Sequence, residues 1–158
     1  MKQYQNPIRL PKPGGDGTES GWAEVGDPFV YRFNGKYYLY PSAGKEGIIA
    51  WESEDLVEWR CVGTVADDPV LSHAYAPEIF YFNGTFYLIT SPRGEGHYLY
   101  TSDSPVGPFV RLTDNQGLTI DGSMFADDDG SLYFLRAGNP SIYAHRMERD
   151  GRIHEGTE

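Results

Sequence analysis

One hairpin design that returns three times constrains this chain more than any other feature. The first copy is Gly26-Asp27-Pro28-Phe29-Val30-Tyr31-Arg32-Phe33-Asn34-Gly35-Lys36-Tyr37-Tyr38-Leu39-Tyr40, two aromatic and β-branched runs on either side of Asn34-Gly35. Asn-Gly accepts the positive φ angles that a two-residue type I′ turn demands. The second copy runs from Ala76-Pro77-Glu78-Ile79 through Asn83-Gly84 to Tyr87-Leu88-Ile89, and the third from Asp121-Gly122-Ser123-Met124 through Asp127-Asp128-Asp129-Gly130 to Leu132-Tyr133-Phe134-Leu135. After each hairpin come two more strand-like runs: 47–53 and 59–65, then 97–102 and 109–112, then 141–147 and a short 152–154. The reading is a four-strand unit used three times.

The turn glycines Gly35, Gly84 and Gly130 are spaced by about 50 and then about 45 residues, the period of a propeller blade. The expected fold is therefore all-β: a β-propeller of four-stranded antiparallel blades, with almost no helix. Composition agrees, since 15% of residues are aromatic, 12 of them Tyr, among 19 Gly and 11 Pro, which suits strands and turns. The expected organisation is a single partial propeller domain over 1–158, with an N-terminal loop at 1–22 and blades at 23–70, 71–115 and 116–158. Propellers close with about four to eight blades, so three leave unpaired edges. The remaining blades are expected from a longer chain or from further copies in a homo-oligomer.

Charge narrows the partners. A net charge of -10 with no Lys/Arg cluster argues against nucleic acid and against an anionic membrane surface, and leaves a neutral ligand such as a sugar. The single cysteine, Cys61, forms no internal disulfide and reads as a core residue. Residues 1–7 lack the apolar core of a signal peptide, and no run of about 18 apolar residues occurs. The chain as given reads as soluble; a cytoplasmic protein and a secreted one with its leader trimmed both fit, so localisation stays open.

In a propeller the innermost strands line the central channel, so groups at equivalent positions converge. Counting back from the turn glycines aligns Asp27, Ala76 and Asp121, the wider third turn absorbing one residue. Glu78 lies two residues beyond Ala76 and so points to the same face of its strand. Separated carboxylates around one small cavity are what glycoside hydrolysis needs, one as base and one as acid, with pKa values set apart. The plain alternative is that Asp27 and Asp121 cap turns with their carboxylates and that Glu78 is a buried structural partner. Phe29, Trp22 and Tyr75 flank the cavity, where they either stack on a sugar or pack between blades. His73 is the histidine nearest the second inner strand. His73, His97, His145 and His154 show no metal-ligand spacing, and Asp127 to Asp129 read as a solvated turn, so no metal site is expected.

Six segments in order resemble glycoside hydrolase family 43: Gly26-Asp27-Pro28-Phe29-Val30, the Asn34-Gly35 hairpin, Ser53-Glu54-Asp55-Leu56-Val57-Glu58-Trp59, Tyr75-Ala76-Pro77-Glu78-Ile79, Ser102-Asp103-Ser104-Pro105-Val106-Gly107-Pro108-Phe109 and Ile120-Asp121-Gly122-Ser123-Met124-Phe125. The resemblance implies a five-bladed propeller that hydrolyses arabinose-, xylose- or galactose-containing glycans with inversion. It implies Asp27 as general base and Asp121 as the aspartate that tunes and orients the general acid, with Glu78, Tyr75, Phe29, Trp22 and His73 as candidate substrate contacts. Tyr75 stands where the family usually has Trp. The acid itself belongs to a Thr-Glu-Gly-Pro-like motif opening a fourth blade, which this sequence does not contain. Glu158 comes too soon after Gly130 to be that acid. The expectation is thus an N-terminal, three-blade portion that is inactive or weakly active alone. No cofactor is expected, apart from a channel calcium that some family members hold with ligands largely from other blades. The competing expectation is a non-catalytic carbohydrate-binding or self-assembling propeller fragment. A retaining enzyme of the related fructan-acting propellers is a weaker reading, because Gly26-Asp27-Pro28-Phe29 stands where those have an Asn-Asp-Pro-Asn-like segment.

Overall fold

The computed structural model describes residues 6–14, 23, 25–42, 47–118, 120–138 and 140–154. Strands β1 (Gly26–Phe33), β2 (Lys36–Ser42), β3 (Ile48–Ser53) and β4 (Arg60–Ala66) form one antiparallel sheet in sequence order. Strands β5 (Ala74–Phe82), β6 (Thr85–Pro92), β7 (Tyr98–Ser102) and β8 (Val110–Arg111) form a second, and β9 (Ser123–Ala126), β10 (Leu132–Ala137) and β11 (Ile142–Met147) a third. These are three propeller blades. A single 3-10 turn, Pro69–Leu71, is the helical structure among the described residues, and Asp68 caps it by accepting from the Val70 amide at 3.1 Å.

Local chemistry explains the hairpins. Asn34 and Gly35 have φ of 48° and 81°, and Asn83 and Gly84 have 48° and 89°, as a type I′ turn requires. The third turn is wider: the Asp127 amide donates to the Ser131 carbonyl, Gly130 returns to the Asp127 carbonyl, and Asp127 and Asp129 each accept a backbone amide through Oδ1. This exposed turn uses its acids to organise its own backbone.

Two expectations about the outer strands need correction. The second blade's outer strand is only Val110–Arg111, and in the third blade the 152–154 run contributes an isolated bridge, Met147 to Ile153, in place of a fourth strand. The Phe109 amide, next to β8, is turned to the Val65 carbonyl of the first blade; Gly151 at φ 83° closes a tight Glu148–Gly151 turn before Ile153. Cys61 is half-buried on β4, beside the small cluster of Leu10, Leu39 and Trp51, and is not part of the main core.

The cores lie between blades. Phe29, Tyr31 and Phe33 of β1 pack against a cluster that includes Ile79, Phe86 and Leu88 of the second blade. Phe33 meets Phe86 edge-on, with centroids 4.8 Å apart, a favoured aromatic geometry. Tyr87, Ile89 and Leu99 likewise pack against Met124, Leu132 and Phe134 of the third blade. Core residues also bond across these seams: the Phe109 amide donates to the Val65 carbonyl at 2.7 Å, the Tyr40 hydroxyl to the Pro105 carbonyl, and the Trp51 indole to the Pro11 carbonyl at 2.7 Å. Those bonds tie adjacent blades and the N-terminal segment together.

Candidate active site

The three aligned positions share a positive φ. Asp27, Ala76 and Asp121 have φ of 44°, 42° and 60°, in the left-handed region that residues other than glycine rarely occupy. In the first two blades the cause is a bulge: pairing slips by one residue between Gly26 and Phe29 on β1, and again between Tyr75 and Glu78 on β5. A bulge leaves two residues facing one and re-aims the side chain at the slip. Strain of this kind, repeated at the start of each inner strand, is characteristic of functional sites.

The result is a cleft of about 200 Å³ lined by Asp27, Pro28, Phe29, Ala76, Pro77, Glu78, Asp121 and Gly122. The inner-strand openings of all three blades meet there. Asp27 is exposed, and its Oδ2 accepts from the Ser42 hydroxyl at 2.7 Å; the Ser42 oxygen in turn accepts from the Ala76 amide at 2.8 Å. Glu78 is more enclosed. Its Oε1 accepts from the Ser123 hydroxyl at 2.6 Å and from the Met124 amide at 3.3 Å. Burial pushes the Glu78 carboxyl above the ordinary carboxylate range, and these two hydrogen bonds oppose the rise without cancelling it. The cleft therefore holds two exposed acids and one more enclosed acid whose pKa is raised by burial, an arrangement suited to acid–base chemistry on a polar ligand.

Phe29 reaches the cleft wall while packing on the first interblade core. Tyr75 and His73 do not line it. Tyr75 is 44% exposed on the far side of the bulge, where a Cβ on Gly94 would lie 3.9 Å from its ring and 3.1 Å from Ile120. His73 is exposed at φ 54° and uses its carbonyl, not its ring, to accept from the Arg93 amide. Trp22 and Glu158 lie outside the described residues.

Two residues of the site's surroundings were not singled out from the sequence. Ser42, the last residue of β2, bonds to Asp27 across the hairpin and to Ala76 across the blade seam. His97 is buried behind Gly122, with its Nδ1 3.1 Å from the Gly117 carbonyl and its ring edge-on to Phe134. A Cβ on Gly122 would stand 2.6 Å from His97 Nε2 and 2.5 Å from the Phe134 ring, so only glycine fits beside Asp121. Burial depresses the His97 pKa, against the raising effects of the Gly117 carbonyl and the Asp121 charge. Serine at a strand end and an isolated histidine are common, so neither carries a sequence signal beyond its place in the repeat.

With this geometry in hand, the family can be assigned. The model of glycosyl hydrolases family 43 matches residues 23–158. The chain belongs to that family. A xylan 1,3-beta-xylosidase from a Vibrio species is 32% identical over 129 residues, covering 69% of this chain and 24% of the relative. A non-reducing end alpha-L-arabinofuranosidase of Bacteroides ovatus is 29% identical over 133 residues, covering 74% and 25%. Among solved structures, a thermostable family-43 glycoside hydrolase superposes with a TM-score of 0.72 at 27% identity, covering 96% of this chain and 54% of the other. An alpha-L-arabinofuranosidase from Clostridium thermocellum gives 0.69 at 27% identity, covering 81% and 53%. The chain thus spans about a quarter of the length of these curated relatives and about half of the solved chains.

Among the described residues no group of three or more His, Cys, Asp or Glu could hold a metal ion. Among the same residues no helix is long and apolar enough to cross a membrane.

Proposed function

We propose that this chain supplies the base side of the active site of an inverting glycosidase acting on arabinose-, xylose- or galactose-containing glycans. The observation that carries the reading is the convergence of Asp27, Glu78 and Asp121 from three separate blades on one cleft, in a family 43 chain. The names of the relatives, xylosidase and arabinofuranosidase, support a pentose-containing substrate.

In this mechanism Asp27 takes a proton from a water molecule, which attacks the anomeric carbon while a general acid protonates the leaving oxygen from the opposite side of the sugar. The attacking water needs the two carboxyls about 6.5–9.5 Å apart. Asp121 orients that acid and tunes its pKa; the acid belongs to a part of the enzyme beyond these three blades. Phe29 offers its ring face to the sugar from the cleft wall. Glu78, held by Ser123 and Met124, is part of the second-blade wall and presents a carboxyl suited to hydrogen-bond a sugar hydroxyl.

The test is hydrolysis of aryl β-xylosides and aryl α-L-arabinofuranosides, with the product anomer followed by NMR. The full-length protein should release the inverted sugar, and Asp27→Asn should lower kcat by about 10²- to 10⁴-fold. The three-blade chain alone should turn over little or nothing. Turnover by the chain alone that is lost in Asp27→Asn would place the acid within these residues, and retention of full activity in Asp27→Asn would remove Asp27 from the base role.

A further inference from the structure

The hydrogen-bond directions around Ser42 carry an inference of their own. The Ala76 amide can only donate, so at 2.8 Å it occupies a lone pair of the Ser42 oxygen. The hydroxyl has one hydrogen, and the acceptor facing it is Asp27 Oδ2, 2.7 Å away. That distance is ordinary for a hydroxyl donor, at the long end of the range for a charge-assisted O–H···O⁻ bond. Ser42 is thus a one-way relay from an amide of the second blade to the carboxylate of the first, and neither bond serves its own strand ladder.

Both ends of the relay sit at the strained positions. Asp27 and Ala76 are equivalent residues of adjacent blades, each at a positive φ, and the Ala76-Pro77-Glu78 run forms the second-blade wall of the cleft. An Asp side chain on an exposed bulge has a free χ1 unless something holds it. Counting seven residues on from the turn glycines, the position is Ser42 in the first blade, Ser91 in the second and Ala137 in the third. A serine thus recurs at this position in two of the three copies, and in the first it bridges the seam beside Asp27.

We infer that Ser42 is the positioning residue for Asp27: it engages Oδ2, leaves Oδ1 to face a water molecule in the cleft, and locks the carboxylate to the second-blade wall. The inference rests on the proposed role of Asp27 for its catalytic consequence, but not for the geometry. Proximity and orientation of this kind are the part of catalysis most sensitive to small displacements.

The test has two arms. In the three-blade chain, three-bond couplings to the Asp27 β-protons should report one χ1 rotamer in the wild type and averaging in Ser42→Ala, with faster exchange of the Ala76 amide. In the full-length protein, Ser42→Ala should lower kcat by about tenfold, as expected for loss of one hydrogen bond to a charged group, with KM within about twofold. Ser42→Thr, which keeps the hydroxyl, should restore most of kcat. If Ser42→Ala does not fold, Ser42→Cys keeps the shape while weakening the donor and gives the same readouts. Unchanged Asp27 couplings and Ala76 exchange in these variants would overturn the inference. So would a loss of kcat that Ser42→Thr does not rescue. If the wild type hydrolyses no glycoside while the Asp27 rotamer still depends on Ser42, the hydrolase reading fails and the positioning role stands.

Discussion

The second and third blades begin from the same hairpin plan and end in different states of burial. In the second, β5 and β6 run for nine and eight residues, and β6 is buried at every position from Phe86 to Pro92. In the third, β9 is four residues long, and β11 alternates, with Ile142 79% exposed and Met147 buried. The difference lies in the neighbours. The second blade is packed on both faces, by the first blade through Phe33 and Phe86 and by the third through Ile89 and Phe134. Among the described residues the third blade is packed on one. A propeller blade is thus stabilised chiefly by what stands beside it, and strands covered on both faces lose the alternation that marks a half-buried strand.

The largest effect should come from breaking that contrast at its strongest point. Leu88→Ala, in a side chain with no exposure in the second blade, should cost about 2–5 kcal/mol in denaturant unfolding, whereas Ile142→Ala in the third should change stability by no more than about 0.5 kcal/mol. Equal costs would mean that the two blades unfold independently of their neighbours.

Next in size is the seam between the same two blades. Gly122→Ala forces a Cβ against His97 and Phe134 and should destabilise by about 1–3 kcal/mol through overpacking. It should also displace the adjacent Asp121, which under the proposed glycosidase role lowers kcat. A neutral Gly122→Ala would show that His97 has room to retreat.

The smallest effect concerns Glu78, whose carboxyl belongs to the second blade and whose hydrogen-bond donors belong to the third. A carboxyl with its folded pKa raised binds its proton more tightly when folded, so its contribution is fully present below the unfolded value near 4.5 and is lost as pH rises through the folded value. Glu78→Gln still accepts from Ser123 and Met124 but does not ionise. Its Tm should match the wild type below that window and exceed it modestly at neutral pH. A Tm gap that stays constant from acid to neutral pH would mean that the carboxylate is not desolvated.

Much of this was legible beforehand because it is local. Asn34-Gly35 and Asn83-Gly84 dictate their turns through φ alone, and counting back from the turn glycines, Gly130 included, aligned Asp27, Ala76 and Asp121, all of which have a positive φ. The same counting says nothing of what surrounds each position. Tyr75 stands 44% exposed beside Gly94, and His73 gives its carbonyl to the Arg93 amide, and both of those neighbours lie just past the end of β6. The short β8 and the single bridge at Ile153 were over-read as full strands, since apolar residues in two- or three-residue runs look alike whether or not a partner strand is in reach.

By itself, the sequence determined the hairpins, their repeat and the carboxylates that open the first and third inner strands, since backbone preference and period act between residues close along the chain. Only the tertiary structure decided which groups those carboxylates meet. Ser42 reaches Asp27 and Ala76, Ser123 reaches Glu78, and His97 fills the space behind Gly122. Each of these contacts crosses a hairpin, a bulge or a blade seam. Their partners are set by the angle and spacing at which two packed sheets meet, and that is a property of the assembled cores rather than of any one segment.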